Sequence, residues 1–140
     1  MTSLVFRFFQ LLTENQHIDR PIDPLETAVR MLDMNYNAFI KMTDISKKLF
    51  MNPIYFSRFF KEHMGISPKQ YLLKKRIERA EQLIEKTDYS VQEIALSVGY
   101  KDALYFSRFF KKETGFSPVK YRNRRKTESK KHKSEEERNC

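Results

Sequence analysis

Residues 52–72, NPIYFSRFFKEHMGISPKQYL, return fifty positions later as DALYFSRFFKKETGFSPVKYR at 102–122. Eleven of the 21 aligned positions are identical. Tyr55, Phe56, Ser57, Arg58, Phe59, Phe60, Lys61, Gly65, Ser67, Pro68 and Tyr71 recur as Tyr105, Phe106, Ser107, Arg108, Phe109, Phe110, Lys111, Gly115, Ser117, Pro118 and Tyr121. Upstream the match continues with Met42–Leu49 over Val91–Val98, at an offset of 49. The second copy therefore holds one extra residue near Gly99-Tyr100-Lys101, where a loop absorbs it. Internal repetition constrains architecture more than any local propensity does. This chain carries two copies of one small unit.

Each copy reads as helix–turn–helix. Asn52-Pro53 and Asp102 are helix-start signals, with Pro53 at a first-turn position where its missing N–H costs nothing. Ser67-Pro68-Lys69-Gln70 and Ser90-Val91-Gln92-Glu93 have the capping-box pattern, and Asp23-Pro24-Leu25-Glu26 is a close relative of it. Ser117-Pro118 opens a last helix, and Gly65 and Gly115 sit where the preceding helices should end in a left-handed residue. The second unit's turn carries Gly99, where the first has Phe50. Nothing reads as a strand. The pattern predicts an all-α fold with helices at 4–13, 24–35, 42–49, 53–64, 68–86, 91–98, 103–114 and 118–124. Two helix–turn–helix subdomains, 23–66 and 88–124, are joined by a linker helix within 67–87. Residues 1–22 read as an N-terminal helix and linker, and 125–140 as a solvated, disordered tail of mixed charge.

The charge is uneven. Residues 1–51 hold six basic and six acidic side chains, so 52–140 carry the whole formal net charge of +9. That asymmetry favours a polyanionic partner. The single cysteine, Cys140, excludes an internal disulfide framework and fits a reducing cytosol. No apolar run reaches the ~18–20 residues of a membrane span. His17, His63 and His132 are far apart and no Cys/His pair has metal-ligand spacing, so neither a metal nor a cofactor is expected. Ser57 and Ser107 lack a positioned histidine, and no nucleophile–base pair points to an enzyme.

The repeated helix has a free face. At 100° per residue with Ile54 at zero, Ser57, Arg58 and Lys61 fall at about 300°, 40° and 340°, while Phe59, Phe56 and Phe60 fall at about 140°, 200° and 240°. Leu104, Ser107, Arg108 and Lys111 repeat that face, opposite Phe106, Phe109 and Phe110. The phenylalanines are expected in the core rather than as a base-stacking platform. The remaining hydroxyl, guanidinium, ammonium and aliphatic groups suit a major groove: Arg bonds guanine O6 and N7, and an aliphatic meets the thymine methyl. A solvated basic face is the alternative, and its appearance twice favours the groove. The 19-residue linker helix spans about 28 Å, close to the ~34 Å between successive major grooves on one side of B-DNA. On it, Lys74 or Lys75 could touch phosphate, while Arg76 or Arg79 could instead pair with Glu78, Glu81 or Glu85.

The stretch Arg76-Ile77…Ala80…Leu83-Ile84…Ile94-Ala95…Val98-Gly99-Tyr100…Asp102…Tyr105-Phe106-Ser107-Arg108-Phe109-Phe110-Lys111-Lys112…Gly115-Phe116-Ser117-Pro118…Tyr121-Arg122 resembles the DNA-binding domain of the arabinose-regulator (AraC/XylS) family of bacterial transcription factors. The resemblance covers residues about 25–123. It implies two helix–turn–helix subdomains, each placing its second helix in a major groove. It further implies base reading by Ile54, Ser57 and Arg58, with Ala103, Leu104, Ser107 and Arg108 facing DNA from the second unit with more backbone contact. Lys61, Lys101, Lys111, Lys112 and Arg122, with the amides opening helices 53–64 and 103–114, are expected to hold phosphates. Two departures stand out. Lys41 replaces the Ser or Thr cap that Ser90 supplies in the second unit, and Ser46 fills the small position of Ala95, so its hydroxyl must find a backbone carbonyl.

The expected function is a sequence-specific, double-stranded-DNA-binding transcription regulator, bacterial, cytoplasmic and nucleoid-associated, which tethers or blocks RNA polymerase. Residues 1–22 would be the remnant of a link to a sensor and dimerisation domain, an added helix on this domain, or a partner-binding element. The rival readings are a non-specific architectural DNA binder and a protein-interaction fragment of a truncated regulator.

Overall fold

Polar caps start nearly every helix of this protein. The computed structural model describes residues 23–139, which form seven α-helices and, among those residues, no strand. They are α1 (Pro24–Met34), α2 (Met42–Lys48), α3 (Pro53–Met64), α4 (Pro68–Lys86), α5 (Val91–Ser97), α6 (Ala103–Thr114) and α7 (Pro118–Arg138). The expected helix 4–13 lies outside the described residues, as does Cys140.

Asp23, Asn52, Ser67, Ser90, Asp102 and Ser117 each accept a backbone N–H of the helix they open, and Ser67–Gln70 and Ser90–Glu93 close both arms of a capping box. Gly65 and Gly115 end α3 and α6 at φ +80° and +86°, the left-handed conformation that glycine takes without a Cβ penalty. Lys41 opens α2 with no side-chain cap, as its departure from the Ser90 pattern implies. Buried Ser46 satisfies its hydroxyl on Thr43 O at 2.9 Å.

Two apolar cores follow the repeat. The first gathers Ala28, Leu32, Ile45, Phe56, Phe60 and Leu72. The second gathers Ile77, Ala80, Ile84, Ile94, Ala95, Val98, Tyr100, Phe106 and Phe110. Helix α4 enters both, giving Leu72 to one and Ile77, Ala80 and Ile84 to the other. The linker is therefore structural in each unit and not a bare strut. Equivalent tyrosines finish the cores. Tyr71 packs edge-on to Phe60 and donates to Asp33 at 2.8 Å, while Tyr121 packs edge-on to Phe110 and donates to Glu81 at 2.9 Å. Burial raises both phenols above their ordinary pKa, and the carboxylates that accept their protons push the same way.

The C-terminal region departs from expectation. The last helix does not stop at 124 and give way to a disordered tail; it runs on to Arg138. Residues 125–138 bury no apolar face, so periodicity carries no helix signal there. They are instead rich in Arg, Lys and Glu and free of Gly and Pro. Arg124–Glu128 and Arg125–Glu128 add surface ion pairs at 3.6 and 3.7 Å, and Arg125 reaches across to Glu85 at 3.1 Å.

Candidate nucleic-acid interface

Helices α3 and α6 hold the candidate groups. Phe56 and Phe60 in α3, and Phe106 and Phe110 in α6, are fully buried. Their mean direction lies at about 220°, so the opposite pole falls near 40°, the angle of Arg58 and Arg108. Both arginines are exposed. Their neighbours on that face, Ile54 and Leu104, are 73% and 61% exposed. Lys61, Lys111 and Lys112 are exposed as well. The described hydrogen bonds and ion pairs of arginine fall elsewhere, on Arg30, Arg76, Arg79, Arg122, Arg124 and Arg125. The two faces thus present uncommitted guanidinium, ammonium and methyl groups, a set matched to base edges and phosphates.

The faces are not identical. In α3, Ile54, Ser57 and Arg58 are all exposed. In α6, Ser107 is half-buried and Ala103 packs against the second core, leaving Leu104 and Arg108 as the exposed pair. Phe59 and Phe109 are also only half-buried. At about 140° they lie on the flank of the buried sector, where Phe59 stacks between Tyr55 and His63 at 6.2 and 4.4 Å.

Several basic residues differ from expectation. Arg122 is turned into the fold: its Nη2 donates to Thr87 O at 3.4 Å and its Nε is buried without a partner. It ties the start of α7 to the end of α4 rather than presenting a free cation. Lys101 is exposed, with Nζ 5.8 Å from the centroid of the Phe39 ring. On α4, Lys75 pairs with Asp33 at 3.5 Å and Arg79 bonds Gln82 at 2.8 Å, while Lys74 stays exposed. Arg76 takes none of Glu78, Glu81 or Glu85; it donates to the carbonyls of Tyr36 and Ala38.

The helix-opening amides are largely spoken for. Asn52 Oδ1 accepts from Ile54 N at 2.9 Å, and Asp102 Oδ1 accepts from Leu104 N at 2.8 Å and Tyr105 N at 3.4 Å. Pro53 has no N–H to offer. Little free donor capacity is left on these amides for a phosphate. Charge separates the two ends further, since α3 opens on a neutral amide and α6 on a carboxylate.

Among the described residues no three His, Cys, Asp or Glu side chains are grouped to hold a metal ion. No described helix is long and apolar enough to cross a membrane.

Comparison with known proteins agrees with the helix–turn–helix fold. A family model described as "Helix-turn-helix domain" matches residues 45–124. The raffinose operon transcriptional regulatory protein RafR of Pediococcus pentosaceus is 35% identical over 107 residues, 72% of this chain and 39% of that protein. The C-terminal domain of AraT, a response regulator from Geobacillus stearothermophilus, superposes with a TM-score of 0.69 at 33% identity, covering 75% of this chain and 88% of that one. The DNA-binding domain of the global transcriptional factor AdpA, solved in complex with a target DNA, gives a TM-score of 0.70 at 29% identity over 76% of this chain and 96% of its own. The chain spans about a third of the length of the curated relatives it matches.

Proposed function

The chain belongs to the AraC family of helix–turn–helix proteins, and from that premise we propose that it is a sequence-specific, DNA-binding regulator of transcription. Helices α3 and α6 enter successive major grooves of one duplex. Arg58 and Arg108 read guanine edges, Ile54 and Leu104 meet thymine methyls, and Ser57 adds a donor or acceptor on the first unit. Ser107 and Ala103, nearer the core, contribute closeness of approach rather than reach. Lys61, Lys101, Lys111 and Lys112 hold phosphates and set register.

The observation that carries this reading is the pair of equivalent faces: two arginines, each diametrically opposite a buried phenylalanine pair, each flanked by an exposed aliphatic. A purely electrostatic binder has no use for Ile54 and Leu104 in solvent. The AdpA domain, a neighbour solved with its target DNA, supports the same assignment.

Regulation follows by contact with, or occlusion of, RNA polymerase at the bound promoter, in the bacterial cytoplasm with the nucleoid as its site of action. Residues 1–22, which lie outside the described residues, are proposed as a link to a sensor or dimerisation domain. No catalytic activity is proposed.

A competition titration decides between this reading and an architectural binder. A ratio of specific to random affinity of about 10³ or more is expected. A ratio near one overturns the proposal in favour of backbone-only binding.

A further inference from the structure

We propose that Arg76 is a positioning residue that locks the two helix–turn–helix units at one relative orientation, and thereby sets the spacing of the two DNA motifs the protein accepts. The second half of this statement rests on the function proposed above; the first half stands on the free protein alone.

Arg76 projects from the middle of α4, between Leu72 of the first core and Ile77 of the second. Its Nε donates to Tyr36 O at 2.6 Å and its Nη2 to Ala38 O at 3.1 Å. Both acceptors belong to the irregular segment between α1 and α2, in the first unit. The same guanidinium lies 5.3 Å from the centroid of the Tyr100 ring, in the turn that leads into α6. One planar group thus bridges a loop of one unit and the turn of the other.

The surroundings are built for that bridge. Gly99 has φ +99°, and a Cβ there would sit 3.1 Å from Arg76 Cζ and Nε and 3.1 Å from Asn37 C. A side chain there requires the guanidinium and the loop backbone to give by a few tenths of an ångström. Tyr36 packs against both cores, and Lys101 meets the Phe39 ring beside the same junction. Guanidinium suits this position because its rigid fork donates along two directions while its face stays on an aromatic ring; an ammonium cannot do all three.

Orientation matters to a two-headed reader because DNA is helical. Shifting one motif by two base pairs rotates it about 70° around the duplex axis. A locked pair of units meets one arrangement, whereas a hinged pair follows several.

The test uses the full chain. Spin labels go on Glu62→Cys and Glu113→Cys, exposed positions on α3 and α6, in a Cys140→Ser background. The distance distribution between them is read without DNA for Arg76, Arg76→Ala and Arg76→Lys, with helical circular dichroism as the check of folding. A narrow distribution for Arg76 and a broadened one for both variants is expected; Arg76→Lys carries the test if Arg76→Ala does not fold. Binding is then measured on duplexes whose two motifs are set at the best spacing and at two base pairs either side. The parent protein should lose about tenfold or more off the best spacing, as a reader losing one set of base contacts does. The variants should show a flattened profile with unchanged affinity for a single motif. Mere destabilisation would lower affinity on every duplex alike. An unchanged distance distribution overturns the lock, and so does an unchanged spacing profile in a variant that still binds specifically. If the parent protein shows no sequence preference, the proposed function falls, and the distance distribution alone decides for or against the lock.

Discussion

Arg58 and Arg108 hold equivalent positions in the repeat, but their neighbours differ. The first unit surrounds its arginine with exposed Ile54 and Ser57 and opens on neutral Asn52; the second half-buries Ser107, packs Ala103 inward and opens on Asp102. Base discrimination should therefore sit mainly in the first unit. Arg58→Ala is expected to cost about 1–3 kcal/mol on the correct site and to relax preference at one or two base pairs, measured by titration against a panel of single-base variants. Arg108→Ala should weaken binding with a smaller change in preference. Equal loss on every sequence for Arg58→Ala would mean that it touches only backbone. Asp102 allows a complementary test. Asparagine caps a helix as well as aspartate does, so Asp102→Asn keeps the bonds to Leu104 and Tyr105 while removing a negative charge from the end of α6. It should tighten binding to specific and random duplexes alike at low salt, and looser binding would contradict that placement of the helix end.

Among the elements, stability is unevenly spread between the two units. Helix α2 is seven residues long and uncapped, whereas its counterpart α5 closes a full capping box. Lys41→Ser should raise stability by about 1 kcal/mol, seen as a rise in Tm of roughly 3–4 °C for a chain of this length; an unchanged Tm would show that α2 is not limiting. The turn after α2 stores strain of its own. Phe50 sits at φ +56° and is 98% exposed, so it incurs the left-handed penalty without burying its ring. Phe50→Gly should stabilise by about 1 kcal/mol in the same thermal melt, and destabilisation would reveal packing for that ring. Helix starts and stops were legible in the sequence because caps are local chemistry: Ser67, Ser90, Asn52, Gly65 and Gly115 act within four residues of their own position. The extension of α7 was not, because its helicity rests on the propensities of Arg, Lys and Glu and on ion pairs such as Arg125–Glu85, none of which leaves an apolar period. Phe59 shows the limit of the wheel, whose angles rank faces but do not say how wide the covering neighbour is.

At the scale of the whole molecule, the duplication announced two helix–turn–helix units, and each unit carries an exposed arginine opposite its paired buried phenylalanines. The joint between the units left no such mark. Arg76 bonds the carbonyls of Tyr36 and Ala38, groups that every residue possesses, so no side-chain pattern could disclose that partnership. The bond of Arg122 left no mark for the same reason, since its acceptor is Thr87 O. Linker helix α4, read from its length as a spacer, is instead a wall of both cores. Selection of bound duplexes from a random pool tests that account most directly. The expected result is two short motifs about one helical turn, 10–10.5 base pairs, apart at a single preferred spacing; a single contiguous motif, read by one unit alone, would contradict it.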